Sequence, residues 1–254
     1  MKIRNILITG ASSGIGQALA IYYAQQKNVE NLFICGRNKE RLNEVKQRCQ
    51  EIGKVKIYAS VIDVSDREGM KKWINGAEKE SGWLNLVFAN AGISISQETP
   101  EQVYKIFDIN LIWILNTILP IIEIYKKRRD KDKIIVMTSS MAWYHWLPTC
   151  PSYSATKAWI KAYGEALRIQ LLPYNIQVNT ICPGFVRSRM TDKCKYVMPF
   201  FMETENAAKL IARRIERNVW LIALPFPIRF VSWFVDILPN CISDLIYKHL
   251  PYIE

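Results

Sequence analysis

Short apolar runs rich in β-branched residues alternate with longer segments of helical period along most of this chain, and that alternation restricts the fold more than any single residue. Ile6–Thr9 predicts a strand, Ile15–Gln26 a helix, Asn31–Cys35 a strand, and Lys39–Gln50 a helix with Leu42, Val45 and Cys49 on one side. A strand at Val55–Ser60, a helix from about Asp66 capped by Ser65, and the apolar strand Leu84–Ala89 follow. Pro100–Tyr125 predicts a long helix, Ile134–Thr138 a strand, Tyr153–Leu172 a helix and Ile176–Ile181 a strand, with a last helix at Glu203–Ile215 and a last strand at Val219–Leu224. Strands this apolar need cover on both faces, which calls for a parallel sheet between layers of helices. Right-handed crossovers then give an α/β, doubly wound sheet of about seven strands, with ligands outside the strands' carboxyl ends. Residues 1–224 form one domain on this reading, and residues 225–254 are an apolar helical extension packed on it.

The first predicted strand runs directly into Thr9-Gly10-Ala11-Ser12-Ser13-Gly14-Ile15-Gly16. Gly10 permits a tight turn, Gly14 lets the backbone approach a pyrophosphate, and Gly16 lets the following helix pack closely. The helix N-terminus then presents free N–H groups to the phosphates, so the sheet reads as a Rossmann-type dinucleotide binder. After the second strand stands Cys35-Gly36-Arg37-Asn38, with no acid to take a ribose 2′-hydroxyl. A guanidinium at Arg37 instead suits a 2′-phosphate, which predicts NADP(H) in preference to NAD(H). Asp63-Val64 follows the third strand and is placed to meet the adenine.

Tyr153 and Lys157 stand at i and i+4 of a predicted helix, on one face and about a turn apart. A phenol titrates near 10 in isolation, and a neighbouring ammonium favours its ionised form. Such a tyrosine can protonate an alkoxide or deprotonate an alcohol. Ser139-Ser140 ends the strand before it, where a hydroxyl can polarise a carbonyl. Asn90-Ala91-Gly92 ends another strand, and its bare backbone can lie against a cofactor. Asn110, inside the long helix, is expected to break that helix locally and hold a water in a proton path.

Taken in order, Thr9-Gly10-x-x-x-Gly14-Ile15-Gly16, Asp63, Asn90-Ala91-Gly92, Asn110, Ser139-Ser140, Tyr153-x-x-x-Lys157 and Pro183-Gly184 resemble the short-chain dehydrogenase/reductases of the single-domain kind. The match runs from about residue 3 to residue 224. The resemblance implies a catalytic tetrad of Asn110, Ser140, Tyr153 and Lys157, since the family's serine stands thirteen residues before its tyrosine. It implies that Gly10, Ser12, Ser13, Gly14, Ile15, Gly16, Arg37, Asn38, Asp63, Val64, Asn90, Ala91, Gly92, Tyr153, Lys157, Pro183, Gly184, Val186 and Ser188 bind the cofactor. It also implies a homodimer or homotetramer. Three positions depart from the family: Trp113 replaces a small glycine, Asn85 replaces an aspartate, and Ser188 replaces a threonine.

Met141 to Leu147 and Arg189 to Phe201 carry many aromatic and apolar side chains, which predicts a lipophilic pocket and a mobile lid. The expected function is a hydride transfer between a lipophilic carbonyl and its alcohol. A non-catalytic NADP(H)-binding sensor or a membrane-surface adaptor is the alternative. The six cysteines are scattered without a C-x-x-C pair and read as reduced, mostly buried thiols, and His145 and His249 are the only histidines, so no metal is expected. The N-terminus lacks a signal-peptide pattern, which predicts a cytoplasmic protein. The net charge of +11 peaks at Lys126-Lys127-Arg128-Arg129, continuing through Lys131 and Lys133, and reads as a solvated helix end rather than a nucleic-acid surface. The tail after Pro225 is too interrupted to span a bilayer. Its all-round apolarity favours burial against the protein over a peripheral membrane contact through residues 225–250.

Overall fold

The computed structural model describes residues 3–95, 98–129, 132–143, 150–189, 191, 198, 200–227, 230, 233–234, 238–239 and 242. Seven parallel strands form one sheet: β1 (Asn5–Thr9), β2 (Asn31–Gly36), β3 (Lys56–Val61), β4 (Leu86–Ala89), β5 (Ile134–Thr138), β6 (Gln177–Pro183) and β7 (Leu221–Leu224). Their order is β3-β2-β1-β4-β5-β6-β7, so the direction of winding reverses between β1 and β4. Successive strand residues face opposite layers. Ile6 and Ile8 enter one core with Leu32, Ile34 and Phe88, whereas Leu7 enters the other with Phe33 and Val87. The first core is closed by α1 (Gly14–Ala24), α2 (Lys39–Ile52) and α7 (Thr204–Glu216). The second is closed by α3 (Arg67–Ser81), α5 (Trp113–Lys127) and α6 (Pro151–Gln170).

Several local features differ from the sequence reading, each for a visible reason. α3 is capped by Asp66, whose Oδ1 accepts from Gly69 N at 3.0 Å, and not by Ser65. Ser65 is diverted because both its N–H and its hydroxyl donate to Asp63 Oδ1. β4 begins at Leu86, two residues late, because Asn85 turns its side chain to β1 and accepts from the Arg4 and Asn5 N–H groups at 2.9 Å each. The basic run is only partly a solvated helix end. Lys133 is 2% exposed and its Nζ donates to the Tyr125 and Arg128 carbonyls at the end of α5, while Arg128 pairs with Glu78 at 3.2 Å. Cations placed there satisfy carbonyls that the helix itself leaves without a partner. Lys131 lies outside the described residues.

The long helix is not uniform. α4 (Pro100–Phe107) opens on a capping box between Thr99 and Gln102, passes into a π-helical turn at Asp108–Ile112, and continues as α5. Within the 28 residues from Pro100 to Lys127 an 18-residue window has a mean hydropathy of 1.6, so this helix is long and apolar enough to cross a membrane. Here they cover the sheet and bury Trp113, Ile114, Ile118 and Ile121.

Candidate active site

The register of the parallel pairs brings the carboxyl ends of β1, β4, β5 and β6 to one edge, with Thr9 beside Cys35, Ala89 beside Met137, and Thr138 beside Ile181. At that edge Gly10 (φ 67°) and Gly14 (φ 55°) take left-handed conformations that side chains resist. A Cβ on Gly10 would stand 2.9 Å from the Ala91 Cα. The turn is therefore pressed against the Asn90-Ala91-Gly92 segment. Thr9 Oγ1 accepts from Asn90 N (3.0 Å) and Ala91 N (3.3 Å), and Asn90 Nδ2 donates to the Thr9 carbonyl (3.2 Å).

α1 starts at this turn, where Ser13 makes no side-chain cap and the first turn carries no acid. Its N–H groups and positive dipole end are left for an anion, which is the fit a pyrophosphate requires. Ile15 is half-buried there against the core. Ser12 packs at the end of β2, where a Cβ on Gly36 would meet its Oγ at 2.9 Å. Asn38 caps α2 by accepting from Arg41 N at 2.9 Å, so its side-chain oxygen is already engaged. Partial burial opposes ionisation of Asp63, yet the two Ser65 bonds and the Arg37 charge outweigh it and hold the carboxyl below its usual range. Val64 is buried beside it. A cavity of about 220 Å³ adjoins the turn and is lined by Ser12, Ser13, Gly14, Arg41, Arg187 and Arg189, among others.

Tyr153 and Lys157 lie on α6. Pro151 suits its first turn, but the N-cap residue Cys150 caps the helix with no side-chain bond of its own to the first turn. The carboxylate of Glu98, from the segment before α4, takes that role by accepting from Ser152 N (3.0 Å) and Tyr153 N (3.3 Å). Close packing of α6 on β6 depends on Gly164, where a Cβ would collide with Thr180 Oγ1.

The Ser140 hydroxyl stands near enough to the Tyr153 phenol to favour its ionised form, and Lys157 Nζ lies 5.4 Å from the Tyr153 ring centroid. Burial pushes the Tyr153 phenol up to about 12, against the pull of the Ser140 hydroxyl and with a further push from the Cys150 and Cys182 thiols. Burial pulls Lys157 down to about 8, and nearby Cys182 acts the other way. The ammonium is anchored on the Thr138 carbonyl at 3.0 Å. Ser139 is turned away from the tyrosine and donates to the Lys157 carbonyl at 2.6 Å, which separates the two serines by role.

Asn110 occupies the centre of the π-helical turn, a distortion frequent at functional sites. Its Oδ1 accepts from Ile93 N (2.9 Å), and its Nδ2 donates to the Ile93 carbonyl (3.0 Å) and to Thr156 Oγ1 (3.1 Å). Both amide hydrogens are thus taken by protein groups, and only one Oδ1 lone pair is left. Gly92 passes between the groups: a Cβ there would lie 3.4 Å from Lys157 Nζ and 3.5 Å from Asn110 Oδ1. On the far side Ser140 donates to the Pro183 carbonyl (3.4 Å), Gly184 N donates to Leu224 O, Val186 bridges to Met202, and Ser188 closes a turn with Thr191. Gly14 faces Ser188, with a Cβ there 3.3 Å from the Ser188 Cβ.

Asn110, Ser140, Tyr153, Lys157 and the glycine turn are therefore gathered at one edge. Glu98 and Thr156 were not legible, because each acts on residues that only the fold brings near. Of the two aromatic stretches, Met141–Trp143 forms a buried 3-10 turn. Tyr144, His145, Trp146 and Leu147, and likewise Met190, Tyr196 and Val197, lie outside the described residues.

A sequence model described as short chain dehydrogenase matches residues 4–196. An uncharacterized oxidoreductase of Myxococcus xanthus is 31% identical, with 98% of each chain covered. The 11-beta-hydroxysteroid dehydrogenase-like 2 of Arabidopsis thaliana is 30% identical over 98% of this chain and 82% of its own. A short chain dehydrogenase/reductase of Burkholderia phymatum, solved in complex with NAD, superposes with a TM-score of 0.83 at 17% identity, covering 100% of this chain and 99% of that one.

Proposed function

The chain belongs to the short chain dehydrogenase family, and from that premise we propose that it is an NADP(H)-dependent oxidoreductase interconverting a carbonyl and a secondary alcohol on a lipophilic substrate. The observation that carries this reading is the placement of Lys157 Nζ 5.4 Å from the Tyr153 ring with Ser140 near the same phenol, beside a glycine turn shaped for a dinucleotide. When bound, NADP(H) supplies or accepts the hydride. Gly10, Ser12, Ser13, Gly14, Ile15 and Gly16 hold its phosphates, and Asn90, Ala91 and Gly92 line its path. Arg37 and Asn38 meet the 2′-phosphate side, Asp63 and Val64 the adenine, and Pro183, Gly184, Val186 and Ser188 the nicotinamide end.

In the reductive direction the substrate oxygen accepts hydrogen bonds from Ser140 and Tyr153. A phenol raised to about 12 is protonated at neutral pH and is ready to act as the acid. As the phenolate forms, the Lys157 ammonium stabilises it and Ser140 donates to the negative oxygen. Asn110 keeps the Ile93 backbone and Thr156 fixed beside that ammonium.

The absence of an acid after β2, together with Arg37 at that position, supports NADP(H) over NAD(H). The hydroxysteroid dehydrogenase-like relative supports a lipophilic substrate. Turnover of NADPH and NADH by the purified protein is measured against ketones, aldehydes and 3-oxoacyl thioesters. NADPH-preferring oxidation that falls by about 10²–10⁴-fold in Tyr153→Phe is expected. Dinucleotide binding without turnover across that panel would favour the sensor alternative.

A cytoplasmic enzyme with a peripheral membrane contact is the second part of the proposal. Phe226, Phe230, Trp233 and Phe234 are 69%, 56%, 49% and 50% exposed, a set that suits a membrane surface under a net charge of +11. Most of the tail lies outside the described residues. Self-association as a homodimer or homotetramer is supported by exposed Tyr104, Phe107, Ile112 and Leu119 along one helix.

A further inference from the structure

Arg37 makes a ring contact: its guanidinium carbon lies 5.2 Å from the ring centroid of Trp113. The two residues come from segments far apart in the chain, Arg37 just past β2 and Trp113 at the start of α5. Trp113 is 3% exposed and packs in the same core cluster as Val64, Met70 and Ile74, beneath the corner that carries Asp63. Among the described residues its Nε1 has no acceptor, so the indole is placed by packing and by the cation on its face. The π-helical turn immediately before it matters too. One extra residue in a turn rotates everything after it by about 100° relative to an uninterrupted helix. The distortion that frees Asn110 therefore also sets the direction in which Trp113 leaves the helix.

We propose that Trp113 is a positioning residue for 2′-phosphate recognition, its indole face holding the Arg37 guanidinium in place before the dinucleotide arrives. The inference rests on the NADP(H) preference proposed above. An exposed arginine loses rotamer freedom when it clamps a phosphate, and a guanidinium already resting on a ring has less to lose. Cation–π attraction supplies the hold, and Asp63 adds an opposite charge on the same corner. A smaller residue at position 113 would leave Arg37 with no aromatic surface to rest on.

Calorimetric titration with adenosine 2′,5′-bisphosphate and with adenosine 5′-monophosphate tests this, since the two probes differ only in the 2′-phosphate. Wild type preferring the bisphosphate, and Arg37→Ala losing that preference, would establish the NADP(H) reading independently of Trp113. Trp113→Met, which fills space without a ring face, should then weaken the bisphosphate by about 5–10-fold and leave the monophosphate within about 2-fold. Trp113→Phe should restore most of the loss, and Arg37→Ala/Trp113→Met should bind the bisphosphate no worse than Arg37→Ala. If Trp113→Met does not fold, Trp113→Phe still decides, with a loss of about 2-fold confined to the bisphosphate. Equal losses for both probes, or no loss while Arg37→Ala is impaired, would overturn the inference and leave the NADP(H) reading intact. A wild type indifferent to the 2′-phosphate would sink both.

Discussion

Lys157 is held at an energetic disadvantage by the fold that buries it. It is 4% exposed, anchored by one carbonyl, and pulled by burial from 10.5 to about 8. The folded state thus holds this proton less tightly than the unfolded chain does. The resulting penalty is absent above the unfolded value near 10.5 and complete below about 8. At pH 7 it is of order 3 kcal/mol, so Lys157→Met should melt higher than wild type at pH 7 while losing turnover. A lower melting temperature in the variant would refute the account. The same titration predicts that kcat/KM declines as pH rises through about 8, because the ammonium that stabilises the phenolate is lost. A profile flat to pH 10 would mean that another group governs the rate. The pairing of Tyr153 with Lys157 was legible because its spacing lies within one helix, whereas the choice of Ser140 over Ser139 came from the family resemblance and not from anything local to the two serines. Cys182, which bears on both Tyr153 and Lys157, was not, because nothing local to it announces that neighbourhood.

At the scale of elements, the start of α6 and the middle of the α4–α5 helix carry the site. α6 presents Tyr153 in its first turn, yet its local sequence offers no cap, and Glu98 completes the helix from another segment. Glu98→Ala should cost about 1 kcal/mol, the usual loss of a helix cap, and lower the melting temperature by about 2–4 °C. It should also reduce kcat more than it raises KM, since the loosened turn is the one that bears the acid; a change in stability with kcat untouched would make Glu98 purely structural. The periodicity of Pro100–Tyr125 announced a long helix and Asn110 announced a break in it, but not the kind. The π-helical turn follows from bonds between Asn110 and Ile93 and Thr156, distant partners that no window of sequence contains. The cap of α3 moved from Ser65 to Asp66 for a smaller version of the same reason, since Asp63 had already taken the Ser65 donors.

Across the whole molecule, two cores on opposite faces of one sheet leave the carboxyl edge as the place where chemistry collects. In the tail, Phe226, Phe230, Trp233 and Phe234 are exposed. If they meet a lipid surface, replacing Phe230, Trp233 and Phe234 by serine should abolish co-sedimentation with anionic vesicles and leave turnover of a water-soluble substrate unchanged. Retained co-sedimentation would move the membrane contact elsewhere, and a change in subunit number would assign these rings to an interface. The sequence by itself determined the α/β class, the strands and their approximate ends, the glycine turn, and the positions of Tyr153 and Lys157. Hydrophobic period, backbone freedom at glycine and helical spacing are local properties, and each is written in a few consecutive residues. Only the tertiary structure decided that Glu98 caps α6, that Lys133 is buried under the end of α5, and that Arg37 rests on Trp113. Those are pairings between segments far apart in the chain. Which partner a polar or charged side chain finds depends on what the packed sheet brings within a hydrogen bond's length of it.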